Sequence, residues 1–154
     1  MREINALLDS VPGPLDETTF IDIGSGMGRV VLLATLRRFK TIVGVEISPT
    51  LHEVARENLE QFRDREEATC RDIRLIRADA AEYRFPRGKL AVYMYNPFRA
   101  PVVRQMLDRL LSVPREITLI YHTPLERAVI DSSGAFQLID ELPSALIYRS
   151  YCGA

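Results

Sequence analysis

The segment FIDIGSGMGRV at residues 20–30 is the part of the sequence whose residue types and spacing most directly suggest ligand chemistry. It is an apolar run that ends in three alternating glycines, Gly24, Gly26 and Gly28. Glycine has no Cβ, so the backbone of such a loop can approach a ligand closely. The dinucleotide-binding fingerprint G-x-G-x-x-G requires its third glycine one residue later, where this chain has Arg29. The spacing therefore argues against a nicotinamide dinucleotide.

Asp22 lies two residues before the first of these glycines, inside the apolar run. Burial of an unpaired carboxylate is unfavourable by several kcal/mol, so this position suggests a ligand that carries the opposite charge. The carboxylate would repel a pyrophosphate and attract an ammonium group. S-adenosylmethionine carries an ammonium group together with a sulfonium, a ribose and an adenine, and it is the ligand that we expect here.

Two more acidic residues end the next two apolar runs, Glu46 in TIVGVEI and Asp79 in RADA. Glu46 is placed to accept hydrogen bonds from two ribose hydroxyls, and Asp79 to accept one from the adenine amino group. Alternatives stay open, since DAAE is also typical of a helix N-cap and Glu46 alone could be a solvent-exposed strand end. The candidate cofactor-binding residues are Asp22, Gly24, Ser25, Gly26, Gly28, Glu46, Ile47, Asp79, Ala80 and Asn96.

The elements that must position these residues alternate between apolar runs of strand length and helical patterns. The predicted strands are 19–24, 41–47, 73–79, 89–96 and 116–122. The first predicted helix is 29–38, and the second has Ser48 as its N-cap and Pro49 at its first position. A third helix is predicted around 103–111, and a short fourth one after Thr123–Pro124. The last two runs, 136–142 and 145–152, are separated by only two residues, which favours a hairpin. This order predicts an α/β fold with a doubly wound, mostly parallel sheet, whose ligand lies at the carboxyl ends of the strands.

The segments FIDIGSGMGRVVLLA, VGVEISPTLHEVARENL, RADAAEY and YMYNPF together resemble the Rossmann-type (class I) S-adenosylmethionine-dependent methyltransferases, over nearly the whole chain. The resemblance implies a seven-stranded sheet of order 3-2-1-4-5-7-6, with helices on both faces and a C-terminal antiparallel hairpin. It also implies that Asp22 and the glycines form the family's glycine-loop motif. Glu46 would then be the ribose-binding acid, and Asp79 the acid near the adenine.

The segment YMYNPF bears on the methyl acceptor. N-methylating members of the resembled family carry an Asn/Asp-Pro-Pro-aromatic motif at this point, whose Asn oxygen and following carbonyl accept hydrogens from a planar nitrogen. This chain matches the motif at Asn96, Pro97 and Phe98, except that one proline is missing. The resemblance therefore implies an N-directed enzyme. The alternative is that these residues form a turn that ends the strand. His122 is the candidate general base because imidazole titrates near neutrality, and a hydrogen-bonded scaffold role is the alternative.

Composition bounds the remaining expectations. Residues 1–154 have the length of one domain, and a net charge of −1 makes nucleic acid an unlikely partner and gives no attraction to a membrane surface. The excess of arginine over lysine is interpreted as codon bias. Two cysteines without a CxxC motif or a secretory leader predict a cytoplasmic protein, and His52 and His122 lie too far apart in the sequence to suggest a metal site.

The chain has no insertion large enough to cover a small molecule, so we expect an open acceptor site. The predicted function is an S-adenosylmethionine-dependent methyltransferase, N-directed on a protein side chain or another amine-bearing acceptor. The alternative is a catalytically inactive S-adenosylmethionine-binding module that acts as a sensor or partner subunit. The sequence leaves the oligomeric state open.

Overall fold

The computed structural model describes residues 1–62, 64–95 and 98–151. The strands in this part of the chain are β1 (Thr18–Ile23), β2 (Thr41–Glu46), β3 (Ile73–Arg77), β4 (Lys89–Tyr95), β5 (Ile117–His122), β6 (Phe136–Leu142) and β7 (Ala145–Ser150). The helices are α1 (Arg2–Asp9), α2 (Arg29–Ala34), α3 (Pro49–Phe62), α4 (Ala100–Leu110) and α5 (Arg127–Ser132).

The seven strands form one sheet in the order β3-β2-β1-β4-β5-β7-β6, which confirms the predicted fold class. The first five strands are parallel, and β7 pairs antiparallel with both β5 and β6, as expected for a terminal hairpin. Every residue of β1, β2 and β5 is buried. These strands have continuous apolar runs because helices cover both faces of the sheet.

The side chains of β1 alternate between two apolar cores, one on each face of the sheet. Ile21 and Ile23 point into the core that contains α4 and α5, with Met106 of α4 fully buried there. Phe20 points to the opposite face, where Leu7 and Leu8 of α1 are fully buried with residues of α2. The alternation follows from the two-residue period of a strand.

The structure corrects two predicted helix boundaries. Helix α2 ends at Ala34, not at residue 38, because the carbonyl of buried Thr35 accepts hydrogen bonds from the amides of Thr69 and Cys70. The helix after β5 begins at Arg127, not beside Thr123, whose backbone φ of 52° is left-handed and incompatible with a helical start. The amide of Thr123 donates a hydrogen bond to the carbonyl of Ser144 in the hairpin turn.

Helix α1 was not predicted, although its apolar residues have helical spacing at positions 4, 7 and 8. Arg37, after α2, fixes this helix by donating hydrogen bonds to the Asp9 carboxylate at 2.8 and 2.9 Å and to the backbone carbonyl of Asn5. Consequently α1 lies over the sheet close to the strand ends that carry the candidate site.

Within the described residues, no helix combines the length and the apolar character needed to traverse a bilayer. The cytoplasmic location stays a prediction.

Candidate functional site

A cleft of about 600 Å³ lies at the carboxyl ends of β1, β2, β3 and β4. The residues that line it are Gly24, Gly26, Val45, Glu46, Ile47, Leu51, Ala78, Asp79, Ala80, Tyr95, Phe98 and Val102. The sheet order places β1 between β2 and β4, so residues far apart in the sequence meet there. This is the topological switch point, where open α/β sheets bind their ligands.

The glycine loop after β1 is held against the end of β2. The amides of Gly24 and Ser25 donate hydrogen bonds to the Val45 carbonyl at 2.9 and 3.0 Å. Gly26 has a φ of 53°, and no atom lies within 4 Å of the point where a Cβ would be, so its backbone edge is open to a ligand. Gly28 does not line the cleft. It faces α3 instead, where a Cβ at this position would lie 3.2 Å from the Cβ of Ala55. The first two glycines therefore face ligand space, and the third lets α2 and α3 pack closely.

Glu46 is buried, with 8% of its surface exposed, so the alternative of a solvent-exposed strand end is wrong. Its Oε2 accepts a hydrogen bond from the amide of Gly26 at 2.8 Å, and its Oε1 accepts one from the amide of Ser48 at 2.9 Å. Each carboxylate oxygen can accept more than one hydrogen bond. Glu46 therefore fixes the loop and still has acceptor capacity for hydroxyl groups in the cleft.

Asp79 lies two residues after β3 and is exposed. Its Oδ1 accepts a hydrogen bond from the amide of Ala81 at 2.9 Å, and its carbonyl accepts one from the amide of Glu82 at 3.0 Å. The residues that follow form a turn and not a helix, so Asp79 caps a turn, and the helix N-cap alternative is wrong. One carboxylate oxygen stays available at the cleft, where the apolar side chains of Ile47 and Ala80 also lie.

Asp22 is 2% exposed at the end of β1, and no described residue donates a hydrogen bond to its carboxylate. Burial, and secondarily the negative charge of Glu46, raises the pKa of Asp22 to about 8. A buried acid without a donor is unfavourable in its ionised form unless a cation joins it. This orphaned group fits the ammonium group of an amino-acid ligand such as S-adenosylmethionine.

A second cavity of about 440 Å³ adjoins the cleft. Its lining consists of Met1, Glu3, Ile4, Asp22, Gly24, Ser25, Met27, Arg29, Val30, Tyr93, Tyr95 and His122. Gly24 and Tyr95 line both spaces, so the cleft and the cavity meet at these two residues. Tyr95 ends β4 with 56% of its surface exposed, which leaves its aromatic ring accessible at this junction.

His122 ends β5 and lines the second cavity, with 8% of its surface exposed. Its Nδ1 lies 2.7 Å from the Tyr93 hydroxyl, and its Nε2 lies 3.8 Å from a carboxylate oxygen of Glu3 in α1. Burial lowers the pKa of His122 below its ordinary 6.5, and the charge of Glu3 opposes that shift. The imidazole is therefore neutral at physiological pH and is able to accept a proton.

Glu3 is a titratable site residue that sequence reasoning missed. It comes from α1, and its other carboxylate oxygen accepts a hydrogen bond from the Ser144 hydroxyl in the turn between β6 and β7. The signal that could have found it was the helical spacing of apolar residues in α1, which shows that the segment packs on the sheet.

Asn96 and Pro97 lie outside the described residues, so their predicted acceptor and cofactor roles stay predictions. Phe98 is half-buried and lines the cofactor cleft beside Tyr95 and Val102, not the second cavity. Its ring is therefore part of the cleft wall at the start of α4.

Comparison with known proteins also indicates a methyltransferase domain. The profile of the methyltransferase domain family matches residues 20–116. No curated protein matches the sequence. Several solved structures have the same fold. The 23S rRNA methyltransferase ErmE has a TM-score of 0.67 and 15% identity, and the match covers 99% of this chain and 68% of that chain. A putative RNA methyltransferase from Pyrococcus horikoshii has a TM-score of 0.68 and 21% identity, with 96% of this chain and 83% of that chain covered, and the magnesium protoporphyrin IX methyltransferase of Synechocystis PCC 6803 with bound S-adenosylmethionine has a TM-score of 0.64 and 16% identity, with 97% and 76% covered in the same order.

The chain belongs to the methyltransferase domain family, and it is an S-adenosylmethionine-dependent methyltransferase. The predicted cofactor is thereby confirmed.

The expectation that nucleic acid is an unlikely partner is wrong, because structures similar to this chain include RNA methyltransferases. That expectation used the net charge of the whole chain. Net charge describes the field of the entire molecule and does not show how charge is distributed over its surface.

Proposed function

We propose that this enzyme transfers a methyl group from S-adenosylmethionine to a nitrogen atom of a planar, amine-bearing acceptor. The observation that carries the proposal is the position of Tyr95, whose exposed ring lines both the cofactor cleft and the second cavity. An accessible aromatic face at that junction suits a flat acceptor, which would stack there with its edge toward the methyl group. The Asn-Pro-Phe sequence at 96–98 is consistent with such an acceptor.

The proposal assigns one part of the cofactor to each acidic residue. Asp22 would pair with the ammonium group, Glu46 would accept hydrogen bonds from the ribose hydroxyls, and Asp79 would accept one from the adenine amino group. The support is their order along the strand ends, since β1, β2 and β3 are neighbours in the sheet. When bound, the cofactor supplies a methyl group on a sulfonium, which is already a good leaving group.

Within the second cavity, Glu3, Tyr93 and His122 would position the acceptor and receive its proton. In the transfer, the carbon–sulfur bond breaks, a carbon–nitrogen bond forms, and the amine loses one proton. In the tautomer that carries its hydrogen on Nδ1 and donates it to the Tyr93 oxygen, neutral His122 would have Nε2 free to take that proton. The carboxylate of Glu3 then stabilises the imidazolium. The aligned approach of the two reactants is the larger contribution, worth about 7–11 kcal/mol in favourable cases.

A catalytically inactive cofactor-binding module is the second candidate. The absence of the second proline from the sequence at 96–98 favours it, because this is a departure from the motif of N-methylating members. For either candidate we propose that residues 1–154 act as one cofactor-binding domain, since all seven strands belong to one sheet.

The test is to incubate the protein with methyl-labelled S-adenosylmethionine and separate fractions of RNA, protein and small molecules from cells. We expect label in one fraction, retained at a nitrogen atom, and a strong decrease for Tyr95→Ala. Tyr151→Ala is the matched control, because Tyr151 is similarly exposed but lines neither the cleft nor the second cavity. Absence of label from every fraction, with cofactor binding intact, would favour the inactive module. Label on carbon or oxygen would reject the N-directed proposal.

A further inference from the structure

A third cleft, of about 780 Å³, lies between the segment 81–87 and the C-terminal half of α4, apart from the two spaces described above. Its charged lining residues are four arginines and one acid, namely Arg84, Arg87, Arg109, Arg115 and Asp108. We refer to it as the arginine cleft. Although the chain has a net charge of −1, this part of its surface is strongly positive.

None of the four arginines forms an ion pair with a described residue. Arginines elsewhere in the chain that form ion pairs with described residues include Arg37, Arg56, Arg74, Arg127 and Arg149. Asp108 lines the cleft but is not paired with any arginine there. The positive charges of the arginine cleft are therefore not neutralised within the part of the chain that the structure describes.

Two of the guanidinium groups are fixed in place by backbone carbonyls. Arg109 donates a hydrogen bond to the carbonyl of Ala81, and Arg115 donates to the carbonyls of Val113 and Pro86. A guanidinium has five N–H donors, so both retain donors for a ligand. These hydrogen bonds hold the arginines at the rim without neutralising their charge.

Mutual repulsion also acts within the arginine cleft. Burial, and secondarily the neighbouring charge of Arg87, lowers the pKa of the Arg115 guanidinium. An anion bound between these two residues would relieve the repulsion. The planar fork of a guanidinium matches phosphate oxygens in a bidentate arrangement, which makes phosphate the ligand chemistry that this cleft fits best.

The arginine cleft adjoins one end of the cofactor cleft. The turn at 79–82 separates the two, since Asp79 and Ala80 line the cofactor cleft and Ala81 lines the arginine cleft. Helix α4 connects them as well, with Val102 at the first cleft and Arg109 at the other. Seven helical residues span about 10 Å, so a single-stranded RNA several nucleotides long could run from the arginine cleft along the cofactor cleft to Tyr95.

From this arrangement we infer that the arginine cleft binds the backbone phosphates of an RNA acceptor whose base is presented to the methyl-transfer site. The inference rests on the proposed function for the planar acceptor and deepens it by naming the class of substrate. RNA provides both a flat base for the ring of Tyr95 and a row of phosphates for the arginines. A free small phosphate would leave most of the arginine cleft unfilled.

The experiment measures binding of a labelled 20-nucleotide single-stranded RNA and a labelled RNA hairpin over a range of salt concentrations. The test variant is Arg84→Gln/Arg87→Gln, chosen because neither side chain forms a hydrogen bond with a described residue. The control is Arg56→Gln/Arg74→Gln, which removes the same charge from two ion-paired arginines. We expect the test variant to bind RNA about tenfold or more weakly at low salt. For the single-stranded RNA, the plot of log K against log salt has a negative slope. Its magnitude should decrease by about 0.7 for each phosphate that the variant no longer neutralises.

Three outcomes would overturn the inference. The first is equal RNA affinity for the wild type and the test variant, and the second is an equal decrease in the control. The third is binding of poly-glutamate at least as tight as RNA, which would make an acidic protein the ligand. Arg84→Lys/Arg87→Lys, which keeps the charge but lacks the planar fork, should restore the salt dependence and part of the affinity. Thermal unfolding and S-adenosylhomocysteine binding, both unchanged, verify that the test variant is folded.

The result is distinguishable from the outcome of the proposed function. Arginine-dependent RNA binding without methyl transfer to RNA would support the cleft and reject the proposed activity on that acceptor. Methyl transfer to RNA that is as efficient in the test variant as in the wild type would support the activity and reject the cleft.

Discussion

The Oε2 atom of Glu46 lies 2.8 Å from the amide nitrogen of Gly26, which donates a hydrogen bond to it. This hydrogen bond joins the end of β2 to the glycine loop that follows β1. The same carboxylate that we propose for the ribose hydroxyls therefore also shapes the backbone around the cofactor. Binding and loop geometry are coupled through one side chain.

Replacement of Glu46 by Gln should weaken cofactor binding strongly, because it removes a charge and one of two acceptor oxygens while it keeps the side-chain volume. Loss of charge-assisted hydrogen bonds corresponds to about 1.5–3 kcal/mol, or roughly 10- to 150-fold in affinity. Calorimetric titration with S-adenosylhomocysteine measures the effect. Glu53→Gln, at an exposed position of α3, is the control. Unchanged affinity in Glu46→Gln would show that this residue only supports the loop.

Cofactor affinity should rise with pH between about 6 and 8. The pKa of Asp22 is raised to about 8 in the free protein, so the group is mostly protonated at pH 6 to 7. An ammonium group favours the ionised form and lowers this pKa in the complex. Binding therefore releases a proton in this window, and affinity increases as pH approaches 8.

Above pH 8 the gain should end, because Asp22 is then ionised before binding and the α-amino group of the ligand begins to lose its proton near pH 7.7–8.0, as a rough reference. Titrations in buffers of different ionisation enthalpy report the proton release. Asp22→Asn should bind weakly and show no such release. A proton release that persists in this variant would assign it to another group.

Two glycine substitutions should separate binding from stability. Gly26→Ala places a methyl group in open space at a φ of 53°, so we expect a modest loss of stability, about 1–2 kcal/mol, and a larger loss of cofactor affinity. Gly28→Ala has a φ of 82° and a close approach of 3.2 Å to Ala55, so its main effect should be on stability. Denaturant unfolding and ligand titration test both variants. A larger effect on affinity in Gly28→Ala than in Gly26→Ala would contradict this assignment.

Loss of the imidazole in His122→Gln should lower turnover by about 10²-fold and leave cofactor affinity unchanged. In the wild type, turnover should fall as pH decreases through the pKa of His122, which burial holds below its ordinary 6.5. Glu3→Gln should move this acid limb of the pH–turnover profile to lower pH, because the carboxylate of Glu3 raises the pKa of His122. An acid limb that persists unchanged in His122→Gln would show that another group titrates.

Much of the fold and of the cofactor cleft could be predicted from sequence because the information is local. Apolar runs ending at Asp22, Glu46 and Asp79 place all three acids at the same edge of a parallel sheet. Helix boundaries were less predictable, since the end of α2 depends on Thr35 accepting hydrogen bonds from residues more than thirty positions away. Tertiary contacts decided that end, not local pattern.

The acceptor side could be predicted only in part, because it is built from contacts that cross between elements. The pairing of Tyr93 with His122 depends on the register of β4 and β5, in which Tyr95 lies opposite His122. Glu3 reaches the same cavity from a helix that was not predicted. The arginine cleft was missed because net charge and composition carry no information about position.

The most direct test of the central claim is a parallel calorimetric titration of the purified wild-type protein with S-adenosylhomocysteine, S-adenosylmethionine and NADH. We predict one binding site per chain for the first two ligands, a weakened site in Glu46→Gln, and no measurable heat with NADH. Binding of NADH in preference to both S-adenosyl ligands, or unchanged S-adenosylhomocysteine affinity in a protein that carries Asp22→Asn and Glu46→Gln together, would contradict the account.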